Sequence, residues 1–238
     1  MKKSVLDTFD WLLIIGTLVS TICFAIFGIG ISNAVSDYDW WITSIAAVLN
    51  IICVVLSAKG SSLNFVFGFI FNMMYTYYCI QTHHFGNAAV YGLVFLPMQV
   101  VGWLQWKKLG TTGDSDQVAA KRLTRKQAII VAAASVIIVT ASIFILNAIG
   151  GRDVLLDSVL MVLCVIAQVL LTFAFMEQWY LWIFINVLTI TMWAVSAMGG
   201  DGKMTDYNLV ITYIFTFVNS LNGLRVWMKL SSGERAKE

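Results

Sequence analysis

Eight apolar runs follow one another along this chain, at approximately 10–32, 41–58, 62–81, 88–107, 126–148, 155–173, 178–197 and 207–229, each 18 to 23 residues long. At about 1.5 Å of helix rise per residue they measure roughly 27–35 Å, which matches a hydrocarbon core of about 30 Å. Inside lipid every backbone N–H and C=O needs a partner, and an open strand would leave an edge unpaired. The runs therefore read as transmembrane helices. Charged residues make up 12% of the chain, half the roughly 25% of a soluble domain.

The basic residues orient the bundle. With eight spans, Lys2, Lys3, Lys59, Lys107, Lys108, Lys121, Arg122, Arg125, Lys126, Arg225, Lys229, Arg235 and Lys237 all fall on one side, and only Arg152 and Lys203 on the other. The positive-inside rule makes the first side cytoplasmic, with both termini there. Seven spans would put the basic 107–126 loop or one terminus on the wrong side. The net charge of +2 is too small to suggest a nucleic-acid partner. MKKSVLDTFDWLLIIG reads as a retained first span, since a signal peptide has a shorter apolar core and a small-residue cleavage site. Trp11, Trp40, Trp41, Trp103, Trp106, Trp179 and Trp227 lie near span ends, where an interfacial aromatic belt is expected for most of them. Cys23, Cys53, Cys79 and Cys164 sit inside apolar runs without a CxxC pair, so they read as small hydrophobes.

An internal repeat is visible. PMQVVGWLQW ends at Trp106 and FVNSLNGLRVW at Trp227, with Gly102 and Gly223 each four residues before the closing Trp, an offset of 121. That shift roughly lays spans two to four over spans six to eight. Both triplets begin on the same side, so they are parallel repeats about an axis along the membrane normal, an arrangement that places substrate between the repeats.

Carboxamides mark the same six spans. Asn50, Asn72, Gln99, Gln168, Asn186 and Asn219 fall in the middle third of spans two, three, four, six, seven and eight. Spans one and five carry only Ser and Thr at that depth. A polar group without partners costs several kcal/mol in hydrocarbon, so these side chains must face the bundle interior. There they either bond to one another across helices or receive an uncharged, hydroxylated ligand, since an amide offers two donors and an acceptor. Trp179, Trp182 and Asn186 share one helical stripe, as do Asn64, Gly68 and Asn72. Thr212, Thr216, Asn219 and Gly223 form a third, with Tyr213 beside it.

No Lys, Arg, Asp or Glu lies mid-span. Proton- and ion-coupled carriers commonly place such groups there, so the expectation is passive transport. A phosphorylated substrate would call for a buried Arg or Lys. A cation or an aromatic ring suits Trp and Tyr. There is no HExxH or GxSxG. His83 and His84 have no third ligand near them. Neither a catalytic group, a metal nor a cofactor is expected.

The combination of W179-xx-W182-xxx-N186, LNFVFGFIFN around Asn72, PMQVVGW around Gln99 and the closing NSLNGLRVW resembles the PnuC family of bacterial nicotinamide riboside transporters over roughly residues 40–230. The resemblance implies an all-α membrane fold like that of the SWEET sugar carriers. In it, residues 1–238 form one membrane domain with an N-terminal helix (10–32), a three-helix bundle (41–107), a cytoplasmic loop (108–125), a linker helix (126–148) and a second bundle (155–229). It implies a homotrimer in the inner membrane, and facilitated diffusion of nicotinamide riboside followed by trapping through a cytoplasmic riboside kinase. Trp182 and Asn186 become binding residues, with Gln99, Asn72, Tyr213, Thr216 and Asn219 as companions. Asn50 and Gln168 complete the amide set. The competing expectations are a passive carrier of another vitamin or a sugar on the same scaffold, and a membrane receptor that binds without moving its ligand.

Overall fold

The computed structural model describes residues 6–24, 26–27, 38–81, 83, 85–109, 117–148, 154–199 and 204–232. Helices coincide with all eight apolar runs: α1 (Thr8–Phe24), α2 (Tyr38–Ala58), α3 (Asn64–Gln81), α4 (Phe85–Ala89, Val90–Phe95 and Leu96–Leu109 in succession), α5 (Arg125–Ala148), α6 (Val154–Thr172), α7 (Gln178–Met198) and α8 (Met204–Ser231). Among the described residues, five stretches are long and apolar enough to cross a membrane by themselves: Asn87–Leu109, Arg125–Ala148, Val154–Thr172, Gln178–Met198 and Asp206–Ser231. The outer part of the first expected span, beyond residue 27, lies outside the described residues, as does His84.

Local chemistry explains the helix details. Val90–Phe95 is π-helical, and the Leu96 N–H reaches back to the Tyr91 carbonyl. Pro97 follows directly; it lacks an N–H and its ring crowds the carbonyl four residues before it, so the preceding turn widens. Helix α5 starts with a capping box: Gln127 Oε1 accepts from the Thr124 N–H at 2.9 Å, and Thr124 Oγ1 accepts from the Gln127 N–H at 3.3 Å.

Six helices close a ring. α2 packs on α3 and α3 on α4; α6 packs on α7 and α7 on α8; the circuit closes through α4 with α6 and α8 with α2. This is the two-triplet arrangement expected from the repeat. α1 lies over the seam between α2 and α8, and α5 packs on the outside of α6.

The register of the repeat differs from the expected one. The offset of 121 holds for α4 and α8, where Trp106 pairs with Trp227. For α2–α3 and α6–α7 it is 114, because α7 and the connection after it are together longer than α3 and its connection. Gly60 (φ 69°) and Ala174 (φ 60°), 114 positions apart, make the same left-handed turn. Glycine tolerates that conformation; alanine occupies it at a steric cost. Trp106 Nε1 donates to the Leu171 carbonyl at 3.0 Å, and Trp227 Nε1 donates to the Ser57 carbonyl at 2.9 Å. Ser57 and Leu171 are again 114 apart. The Phe65 ring lies against Gly102 and the Trp179 ring against Gly223, where an added Cβ would come within 2.2 Å and 2.6 Å of them.

Three of the seven tryptophans expected in an interfacial belt are therefore core residues. Trp106, Trp179 and Trp227 are 3%, 2% and 0% exposed and pack with Phe65, Ala58, Leu171, Ala174, Met176 and Leu230. The ring centroids of Phe65 and Trp106 are 4.8 Å apart, and those of Trp106 and Trp227 5.6 Å apart. The Leu171 and Ser57 carbonyls accept the N–H groups of Ala174 and Gly60 in their own turns, and the indoles of Trp106 and Trp227 add a second donor to each, while Trp179 Nε1 has no partner among the described residues. Trp11 and Trp41, both exposed, keep the belt reading, and the Lys107 ammonium sits 4.5 Å over the Trp103 ring. The side chain of Trp40 lies outside the described residues.

The 107–126 loop is more than a linker. Its segment 117–123 crosses the basic end of the ring and bonds to the turns of both repeats. Val118 N–H donates to the Gly60 carbonyl (2.9 Å), Lys121 N–H to the Ala174 carbonyl (2.8 Å), and Met176 N–H to the Lys121 carbonyl (2.9 Å). Glu177 Oε1 accepts from the Leu123 N–H at 3.0 Å, and Val118 is buried among the core tryptophans.

Helix α1 is fastened at the same end. Lys59 Nζ lies 2.5 Å from Asp7 Oδ2 and 3.0 Å from Asp10 Oδ2, and Asp10 is wholly buried. Burial pulls the Lys59 pKa down, but the hydrogen bonds and charges of Asp7 and Asp10 outweigh it and hold it above its usual value. Burial likewise raises the Asp7 pKa, while Lys59 and the Asp10 N–H outweigh it and leave it lowered. The Asp7 contribution is thus complete above 3.8 and lost as pH falls through its lowered folded value; that of Lys59 is complete below 10.5 and lost as pH rises through its raised one.

Two outcomes are expected. Lys59→Met, which leaves the buried Asp10 carboxylate without its counter-charge, should speed hydrogen exchange of residues 8–24 at neutral pH. Trp106→Phe and Trp227→Phe should each lose about 0.5–1.5 kcal/mol, the net worth of one hydrogen bond, since the Leu171 and Ser57 carbonyls keep the N–H groups of Ala174 and Gly60, with matching drops in apparent melting temperature in detergent.

Candidate functional site

Asn72 and Asn186 occupy equivalent positions, eight residues after the first residues of α3 and α7, about 12 Å in from the basic end by helix rise. Their helices present the two stripes expected from spacing. Asn64, Gly68 and Asn72 are buried along α3, and Trp179 and Asn186 along α7, with Trp182 partly buried against the core tryptophans.

The second repeat ties its amide across helices. Asn186 Nδ2 donates to Ser220 Oγ on α8 at 3.0 Å. Thr216 Oγ1 stands 3.0 Å from both Asn186 Oδ1 and the Tyr213 carbonyl, and donates to either. Ser220 Oγ in turn donates to the Thr216 carbonyl at 2.8 Å. The network brings together the predicted residues Asn186, Thr216 and Tyr213. Ser220 was not singled out by the sequence reading, although it stands one turn from Thr216 on the same face.

The first repeat turns its amides back on their own helices. Asn72 Nδ2 donates to the Gly68 carbonyl at 2.6 Å, and Gln99 Nε2 to the Phe95 carbonyl at 3.2 Å. Asn72 Oδ1 is buried and finds no partner among the described residues.

The other three amides are more dispersed. Asn219 Nδ2 donates to the Val54 carbonyl at 2.9 Å, bonding α8 to α2, while its Oδ1 is buried without a partner. Gln168 on α6 is buried with its Nε2 unpartnered, and Asn50 on α2 is half-buried. Thus two of the six amides bond across helices, two bond within their own helix, and several polar atoms remain unspent. Buried polar atoms of this kind are rare and call for a ligand or water.

On the far side of the amides from the basic end lies an aromatic group that spacing did not reveal. Tyr75 and Tyr91 have ring centroids 4.6 Å apart, Tyr91 and Phe95 5.0 Å, and Phe71 stacks on Tyr75 at 5.8 Å. The π-helical turn displaces residues from regular α-helical spacing, which is why Tyr91 escapes a periodicity reading. Tyrosine faces attract cations, and their edges suit aromatic rings. Among the described residues no cluster of His, Cys, Asp or Glu has the make-up of a metal site. All four cysteines are free thiols. His83 is exposed in a left-handed turn (φ 59°).

Residues 40–229 match the sequence model of the nicotinamide mononucleotide transporter family, from the start of α2 to the end region of α8. The chain belongs to this family, the PnuC transporters. It is 39% identical over 195 residues to the nicotinamide riboside transporter PnuC of Neisseria mucosa, covering 81% of this chain and 73% of that one. It is 31% identical over 193 residues to the nicotinamide riboside transporter PnuC of Haemophilus influenzae, covering 81% of each. The fold superposes on a crystal structure of the vitamin B3 transporter PnuC with a TM-score of 0.75 at 32% identity, covering 97% of this chain and 94% of that one. The PnuC sequence model begins after α1, yet the structural match spans nearly the whole chain, so α1 belongs to the architecture. The protein is a multi-pass membrane transporter and not an enzyme.

Thr216→Val keeps the shape of the side chain and removes the donor to Asn186 Oδ1. Thermal unfolding in detergent should show a loss of about 1–3 kcal/mol, and Thr216→Ser should retain wild-type stability.

Proposed function

We propose that this chain carries nicotinamide riboside across the bacterial cytoplasmic membrane by facilitated diffusion. The observation that carries this reading is the pair of equivalent amides, Asn72 and Asn186, in a six-helix ring whose spans hold no charged residue at mid-depth. Curated relatives named for nicotinamide riboside share 39% and 31% of the aligned residues. The ligand offers a pyridinium cation, a carboxamide and ribose hydroxyls. Trp182 and the tyrosines suit the first; Asn72, Gln99, Asn186, Thr216, Asn219, Asn50 and Gln168 suit the others. The family model is named for the mononucleotide, but a phosphate would demand a buried cation, and the mid-span residues supply none.

The basic end faces the cytoplasm, with both termini inside. Inward flux is then sustained by a cytoplasmic riboside kinase, whose phosphorylated product does not fit the uncharged site. The bundles 41–107 and 155–229 are the units that move around the site, with 126–148 as linker helix. The carrier assembles as a homotrimer; the outer face of α5, with Ile129, Ile137 and Phe144 exposed, offers apolar surface for sister chains or lipid.

Proteoliposomes without any ion gradient should take up labelled nicotinamide riboside to the outside concentration and no further. By calorimetry Trp182→Ala and Asn186→Ala should each weaken binding by roughly tenfold or more. Accumulation above equilibrium, or unchanged affinity in both variants, would refute the reading.

A further inference from the structure

In the registers set by the turns and the tryptophans, the two repeats agree at Asn72 and Asn186 and disagree on either side of them. The position one turn before the amide is Gly68 on α3 and Trp182 on α7. The position facing it from the third helix is Gln99 on α4 and Ser220 on α8. Large and small are exchanged. The second repeat sets an indole on α7 against a serine on α8; the first sets a bare backbone on α3 against a glutamine on α4.

The exchange changes what each half has left to offer. Ser220 and Thr216 engage both ends of the Asn186 amide. In the first repeat both amides converge on Gly68 instead. Asn72 Nδ2 lies 2.6 Å from its carbonyl, and Gln99 Oε1 would lie 2.5 Å from a Cβ added to it. Any side chain at residue 68 would displace the Gln99 amide. Asn72, 4% exposed, keeps an acceptor oxygen with no partner among the described residues. The first half therefore brings two amides together at Gly68, with no side chain at the position that Trp182 fills in the second.

We propose that Gly68 is a specificity-determining residue: by holding the Gln99 amide next to Asn72 it makes the first repeat the half-site for the vicinal hydroxyls of the ligand, while Trp182 makes the second repeat the half-site for its aromatic ring. Two neighbouring hydroxyls, each a donor and an acceptor, match two amides held beside one glycine. This deepens the riboside reading and rests on it.

The test compares nicotinamide riboside with its 2′,3′-dideoxy analogue by calorimetry on the full-length protein in detergent. Wild type should prefer the riboside by about tenfold or more, the value of one or two hydrogen bonds. Gly68→Ala should weaken the riboside by about tenfold and leave the analogue unchanged, so that the preference disappears. Gln99→Leu, which leaves the α3 backbone untouched, should do the same and guards against a folding defect in Gly68→Ala. Parallel weakening of both ligands in Gln99→Leu, or no change in either, overturns the assignment. A wild-type protein that binds both ligands equally overturns the half-site while leaving the carrier reading intact; one that binds neither overturns the carrier reading as well.

Discussion

Lipid offers no hydrogen bonds, so every helix end near the bilayer needs a donor or acceptor from within the protein. Here each turn supplies one donor of its own, from Gly60 or Ala174, and the opposite half supplies a second. Trp106 of the first repeat donates to Leu171 of the second, and Trp227 of the second donates to Ser57 of the first. Each bond crosses one of the two seams that close the ring, and each indole fills the space beside a turn with positive φ. The register of the repeats, the burial of Phe65 and Trp179 against Gly102 and Gly223, and the equal depth of Asn72 and Asn186 all follow from that reciprocal arrangement.

Much of this was legible in the sequence, because two signals are strong in a membrane protein. Run length fixes the spans, and amides in apolar runs stand out where charge is excluded. Sequence reading missed features in which distance along the chain differs from position in space. Trp106, Trp179 and Trp227 sit near helix ends, where a belt residue would sit, but the chain turns inward there and carries them into the core. A single offset of 121 concealed the second register of 114, since part of the added length lies in α7 itself, which has 21 residues against 18 in α3, and leaves no mark in composition. Ser220 was hidden by its ordinariness: serines are common in membrane helices, and only the contact with Asn186 distinguishes this one.

The polar chemistry of the site is neutral throughout. A charge at mid-depth would bind a charged ligand more tightly and also hold it longer. Amides, hydroxyls and aromatic faces give shallower wells, which suits a carrier that has to release what it binds. The halves differ at Gly68 and Trp182, so a duplicated scaffold need not present two identical faces to its interior.

The segment 117–123 has a mechanical consequence of its own. It holds the turns of both repeats through main-chain groups, at Gly60 on one side and at Ala174 and Met176 on the other. Such a lintel is indifferent to most side-chain replacements and intolerant of a changed residue count, since one inserted residue would shift its register against one doorpost or the other. Displacing either post therefore pulls on the other through the same few main-chain bonds.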